Sequence, residues 1–239
     1  MKFNPNKIYK EILVLPDIHA PWADWDAVKF AHKWYTKRKD KSSILVIQLG
    51  DLTDQKIWSR WQSDTDDFSP CQEFEEAEKQ LKKLHKMFPN MLILRGNHDD
   101  RIKSRAVEAG IPGKMFKDVD SVFNYKGWQW IPRNERLVVQ TARGPILFVH
   151  GDEQGGTVVQ KSRILGHSVI QGHTHKVSIT YTNQVNGRHI FGAEMGCLMD
   201  VQSKAGRYAQ ANPVGVSVGF GVVKHGVPYF IPYFKGDKV

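Results

Sequence analysis

Cysteine is scarce: Cys71 and Cys197 are the only two in 239 residues, far apart and in no spaced pair. They supply no disulfide framework and no zinc-finger pattern, so a reducing, cytoplasmic setting is the default expectation. No apolar run approaches the roughly 20 residues that a membrane span needs. The N-terminal stretch MKFNPNKIYKEILVLPDIH is basic, but its apolar run is short. Pro-Asp-His stands where a small-residue cleavage site belongs, so neither a signal peptide nor a membrane partner is expected. Internal repeats, low-complexity tracts and long Pro/Ser linkers are also missing. At this length a folded chain buries roughly 70–75% of the surface its unfolded form exposes. One domain over residues 1–239 is therefore expected, with a core that needs no staples.

Acidic residues are the minority charge. Lys and Arg number 34 against 25 Asp and Glu, a formal net charge of +9, and the pI is about 9.4. Such a balance favours anionic partners, DNA or RNA among them. The densest basic run, KWYTKRKDK at 33–41, reads as the solvated C-terminal end of a helix, where cations suit the dipole.

Apolar patterning divides the chain. EILVL (11–15), SILVIQL (43–49) and MLILR (91–95) are short apolar strands. Between them, 24–37 places Trp25, Val28, Phe30, Ala31, Trp34 and Tyr35 at helical spacing. The segment 71–88 does the same with Phe74, Ala77, Leu81, Leu84 and Phe88, and Pro89 stops it. Strands of this length alternating with helices predict parallel βαβ units. From Gly127 onward the segments are mostly strand-like, with hairpin turns at TNQVNGRH and KHGV and one helix between Gly156 and Leu165. The expectation is a layered α/β sandwich, its first sheet half from βαβ units and its second from meanders.

The polar residues sit in a repeated place. Each apolar strand ends in a cluster: Asp17-Ile18-His19, Gly50-Asp51-Leu52-Thr53-Asp54, Gly96-Asn97-His98-Asp99, His150-Gly151-Asp152 and Gly172-His173-Thr174-His175. Any one of them alone is an ordinary helix cap, turn or satisfied histidine. Ligands of open α/β sheets bind outside the carboxyl ends of the strands, however, and five clusters on neighbouring strands converge on one rim.

In this order the five blocks resemble the calcineurin-like metallophosphoesterases, from Ile12 to His175, and the strand-rich remainder to about Phe234 resembles the second half of that fold. The resemblance implies a four-layer α/β/β/α sandwich of two mixed sheets with flanking helices, and a metal-dependent phosphoester hydrolase. By resemblance Asp17, His19 and His175 hold one metal, Asn97, His150 and His173 hold the second, and Asp51 bridges both. His98 is the implied proton donor, and Asp54 orients it. Two divalent cations roughly 3.5–4 Å apart clamp the attacking and leaving oxygens, and a bridging hydroxide attacks phosphorus. Four positive charges against about three negative leave a site near +1, suited to an anionic phosphoester. Nitrogen and oxygen ligands without thiolate suit Mn, taken first, and Fe, Co, Ni or Zn.

Two departures narrow the substrate. In the Ser/Thr phosphatase branch of that family the Gly-Asp-x-x-Asp block continues with a phosphate-gripping Arg, whereas Gln55 stands there in GDLTDQK. LRGNHD is similar to the phosphatase branch, but the intact GHTH is more typical of phosphodiesterases and nucleases. A missing grip matters less for a monoanionic diester than for a dianionic monoester. A phosphodiesterase or nuclease is therefore expected, with a phosphomonoesterase as the alternative. A non-catalytic binding scaffold is a third option, but no position that such proteins lose is degraded here. Between the blocks, Trp58 and Trp61 are candidates to stack on bases, with Lys56 and Arg60 near phosphates. Arg101, Lys103 and Arg105 open the next segment as a charged helix face.

Overall fold

The computed structural model describes residues 3–59, 68–133, 135–152, 156–184, 187–203, 206 and 215–237. In chain order the elements are β1 (Glu11–Leu15), α1 (Trp25–Thr36), β2 (Ile44–Gln48), α2 (Pro70–Met87), β3 (Met91–Leu94), α3 (Arg101–Glu108), α4 (Val119–Val122), β4 (Trp128–Ile131), β5 (Leu137–Thr141), β6 (Gly144–Val149), α5 (Val158–Leu165), β7 (Ser168–Gln171), β8 (Val177–Asn183), β9 (His189–Met195), β10 (Gly219–Lys224) and β11 (Val227–Pro232). One sheet runs β11-β10-β1-β2-β3-β4 and the other β5-β6-β7-β9-β8.

Strand periodicity explains the layers. Along β1, Leu13 and Leu15 face a core shared with α1 and α2. Ile12 and Val14 face the second sheet, together with Ile47, Leu92, Leu94, Phe148, Ile170 and Phe191. Both faces are covered, so the strand reads as one unbroken apolar run. On the far side, α5 lays Val158 and Leu165 on Leu147 and Val169 of the second sheet. The result is the α/β/β/α sandwich. Each fully buried Leu, Ile or Phe contributes roughly 1.5–3 kcal/mol, which gives the rim a stiff floor.

Helix starts are explicit in the residues. Asp24 accepts from the Asp26 and Ala27 amides at the head of α1, and Ser69 and Gln72 form a capping box on α2 with Pro70 in its first turn. Along α2, Ala77, Leu81, Leu84 and then Phe88 are buried as the spacing predicts, but Phe74 is not. It stacks on Phe123 with its other face in solvent.

The second sheet departs from a set of meanders. β6 and β7 are parallel and joined by α5, a further βαβ unit, and β7 also pairs in parallel with β9. The helix is only eight residues long but carries its own capping box, Thr157 with Gln160, which holds it where the surrounding sequence is strand-like. The expected hairpins form: β8 with β9 and β10 with β11. Val185 and Asn186 at the tip of the former lie outside the described residues. The β10–β11 hairpin crosses back to the first sheet, antiparallel to β1. The basic run at 33–41 closes α1 and leads into β2. It therefore lies at the amino ends of the strands, away from the rim. Arg38 there covers Trp34 at 4.0 Å and faces Glu11 at 3.6 Å.

Candidate metal centre

The carboxyl ends of β1, β2, β3, β6 and β7 deliver the five clusters to one place. Donor atoms of Asp17, His19 and His175 all lie within 4.8 Å of one another, and so do those of Asp51, His150 and His173. In the first group the Nε2 atoms of His19 and His175 are 3.1 Å apart, and Asp17 Oδ1 is 3.7 Å from His175 Nε2. Asn97 joins the second group, its Oδ1 lying 3.0 Å from His150 Nε2. Asp51 stands between the groups: its Oδ2 is 3.7 Å from His19 Nε2 and 3.2 Å from His150 Nε2.

The backbone is bent to achieve this. Asp17, His19, Asp51, His173 and His175 all have positive φ, between 34° and 68°. Left-handed backbone is uncommon for residues with a side chain and persists where surrounding structure over-determines it. Glycines make room beside them. A Cβ on Gly172 would fall 2.2 Å from Asp17 Oδ2, and one on Gly50, at φ +97°, 2.6 Å from the His150 ring.

Burial and crowding set the charges. Burial, with the nearby Asp51 carboxylate, pushes Asp17 up to about 7, against the pull of His150 and His19. Asp51 is buried too, yet His150, His98 and His19 hold it well below the usual carboxylate range. Burial opposes a charge on His150, but Asp51 and Asp17 raise it to about 10. His175, buried and facing His19, is driven down to about 3. Asp17 Oδ2 is buried without a hydrogen-bond partner, at a cost of roughly 1–3 kcal/mol. An orphaned carboxylate oxygen beside two imidazole nitrogens 3.1 Å apart is a donor set short of a cation. These residues fit the implied metals.

A second ring of contacts fixes the donors. Asp54 Oδ1 lies 2.7 Å from the Nδ1 of both His19 and His98. His19, Asp54 and His98 thus also group closely, but as two hydrogen bonds converging on one oxygen. His98 donates its backbone N–H to Asp51 Oδ1 at 2.8 Å, and its Nε2 faces Asp51 Oδ2 at 3.9 Å. Asp99 ties two loops together, accepting from the Leu52, Thr53 and Gly96 amides and the Thr53 hydroxyl. Arg95 points away, to Asp100, Asp118 and Asp120. Gln55 is wholly structural: it donates to Thr53 and to the Asp99 carbonyl, and accepts from the Ile102 amide.

Two positioning residues escaped the sequence reading. Glu194 on β9 accepts from Gln171, Thr174 and Ser178, clamping the Gly-His-Thr-His loop. Its one signal is a carboxylate in an otherwise apolar strand, FGAEM. Lys161 of α5 is buried and donates to the Gly151 carbonyl and Gln171. Of the expected base-stacking segment, Trp58 is exposed, while Arg60 and Trp61 lie outside the described residues.

The model of the calcineurin-like phosphoesterase family matches residues 10–182. The chain belongs to this family and is a metal-dependent phosphoester hydrolase. Family and donor groups together indicate a binuclear divalent-metal centre. No curated protein matches the sequence. Among the described residues no helix is long and apolar enough to cross a membrane.

Proposed function

We propose that the chain is a two-metal phosphodiesterase acting on nucleic acid or a nucleotide, with manganese the first metal to test. Asp17, His19 and His175 hold one ion, Asn97, His150 and His173 the other, and Asp51 bridges them. The observation that carries this reading is the position of Asp51, a single carboxylate oxygen reached from both donor groups. When bound, the ions lower the pKa of a water towards ~7 and offset phosphoryl charge. His98 is placed to give a proton to the leaving oxygen from Nε2, since Nδ1 is committed to Asp54. In the structure Nε2 accepts from Arg101 NH2 at 2.7 Å, so the donating form requires that contact to be released. Asp54 fixes the ring, and with Asp51 it raises the His98 pKa against the effect of burial. A carboxylate-oriented imidazole is suited to general-acid work.

The diester preference rests on position 55. Its glutamine is spent on the protein's own backbone and on Thr53, so no cation reaches the substrate from there. The net charge of +9 supports an anionic polymer or nucleotide. The test is manganese-loaded protein with bis-(p-nitrophenyl) phosphate and p-nitrophenyl phosphate. Faster diester cleavage is expected, abolished by Asp51→Asn. Strong monoester hydrolysis without diester cleavage would move the assignment to a phosphomonoesterase.

A further inference from the structure

The turn at 56–58 is held from two helices, yet it presents an aromatic ring to solvent. Glu73 of α2, itself buried, accepts the Lys56 amide on Oε1 at 2.6 Å and the Ile57 amide on Oε2 at 3.0 Å. From α3, Arg105 Nε donates to the Trp58 carbonyl at 2.9 Å, and the Ile102 amide donates to Gln55 Oε1 at 2.9 Å. Gln55 is left-handed, with φ 52°, a conformation that persists where surrounding contacts enforce it. Trp58 at the end of this turn is nevertheless 38% exposed. A backbone fixed this firmly under an exposed indole is preorganised for a ligand.

Trp58 lines a cleft between α2, α3 and α4, of about 670 Å³ counted to its open mouth, a size within the range of small-molecule sites. Three more aromatic rings line it: Phe74, Phe116 and Phe123. Phe74 stacks on Phe123, ring centroids 5.5 Å apart, and is 43% exposed. The carboxylates in the wall are spent on the protein. Glu73 and Asp99 accept backbone amides, Asp118 pairs with Lys103 at 2.5 Å, and Asp100 faces Arg95 at 3.5 Å. The cleft therefore offers flat apolar faces, with the exposed Lys117 beside them. It also borders the metal centre. Ala20 follows His19, Thr53 and Gln55 flank Asp54, and Asp99 follows His98; all four line the cleft. In a nucleotide a single sugar separates the ring from the phosphate. We infer that this cleft is the nucleobase subsite of the centre, where a base stacks on Trp58 and Phe74 while its phosphate sits on the metals. The inference rests on the phosphoesterase reading of the site and deepens it, by making the substrate a nucleotide or polynucleotide. Every base has a π-face, and the carboxylates of the wall are engaged already, so the subsite discriminates little between bases.

The test compares two phosphonates, whose carbon–phosphorus bond the hydrolase does not cleave: adenosine 5′-methylenephosphonate, which carries a base, and methylphosphonate, which does not. Both are titrated by calorimetry into manganese-loaded wild type, Trp58→Ala, Phe74→Ala and Tyr181→Ala, with metal content measured for each. Wild type should bind the nucleoside ligand at least about 10-fold more tightly, the scale of one base stacked on an aromatic side chain. Trp58→Ala and Phe74→Ala should each cut that ratio several-fold. Tyr181→Ala removes an equally exposed ring from β8 of the other sheet and should keep the wild-type ratio. Hydrolysis of thymidine 5′-(p-nitrophenyl) phosphate against methyl p-nitrophenyl phosphate should show the same pattern in kcat/KM. A wild-type binding ratio near one overturns the inference. So does an unchanged ratio in both Trp58→Ala and Phe74→Ala, or an equal loss in Tyr181→Ala. If one cleft variant does not fold, the other decides. Failure to cleave either diester would end the diester reading, while the binding ratio still judges the cleft by itself.

Discussion

Asp54→Asn isolates what one buried charge does for two imidazoles. Asp54 is 1% exposed, and its Oδ1 takes the Nδ1 protons of His19 and His98, each at 2.7 Å. Asparagine keeps a neutral acceptor of the same shape. A hydrogen bond to a charged group contributes roughly 1.5–3 kcal/mol and a neutral one roughly 0.5–1.5. The change therefore costs about 1 kcal/mol per bond, or about 2 kcal/mol in all. The sign with pH follows from the carboxyl. Burial works to raise it, but His19 and His98 hold it far below its ordinary 3.8. A depressed folded value stabilises the protein fully above the unfolded value and loses that stabilisation as pH falls. Urea unfolding of metal-free wild type and Asp54→Asn should show a gap of about 2 kcal/mol at pH 7 that narrows progressively below about pH 4. No gap at pH 7, or one of constant size down to pH 3, would refute the claim that charge, rather than shape, holds the rings. Because the bond that orients His19 is weakened and the carboxylate charge removed, metal affinity should fall by roughly 10–100-fold, as for other groups that orient a ligand.

Two further outcomes follow from the same centre. His150 stands at about 10 and Asp17 at about 7 without metal, and both must lose protons to serve as ligands. At pH 7 metal binding should release a proton from His150 and a further fraction of one from Asp17, beyond any from water; calorimetry in buffers of different ionisation enthalpy reads this, and a release near zero contradicts the assignment. Gly172→Ala places a methyl 2.2 Å from Asp17 Oδ2 by unrelaxed geometry. It should leave the circular dichroism intact and reduce bound metal, and full metal stoichiometry would show that Asp17 is not crowded there.

The five clusters were legible because each follows directly on a strand that is apolar on both faces. A short unbroken run such as ILVL locates a buried parallel strand, and the next few residues then belong to the rim. Relations between rim residues were less legible, because they join positions far apart in the chain. Asp54 was expected to serve His98; its second partner, His19, lies 35 residues away. Glu194 reaches its loop from the neighbouring strand β9, and strand order inside a mixed sheet is not written in any one strand. Short helices such as α5 are masked where residues on both sides favour strands. Backbone conformation was the least legible of all. Nothing local announces that Asp17, His19, Asp51, His173 and His175 will all adopt positive φ: Asp and His enter that region more often than other side-chain residues, but still in only a small minority of cases. The two stacked sheets impose it: they fix each strand end in place, and the turn that follows must bring a carboxylate or an imidazole inward within two residues. The packed core thus stabilises a backbone that the site residues disfavour. Loosening the core beneath the rim should reduce metal affinity before it unfolds the chain.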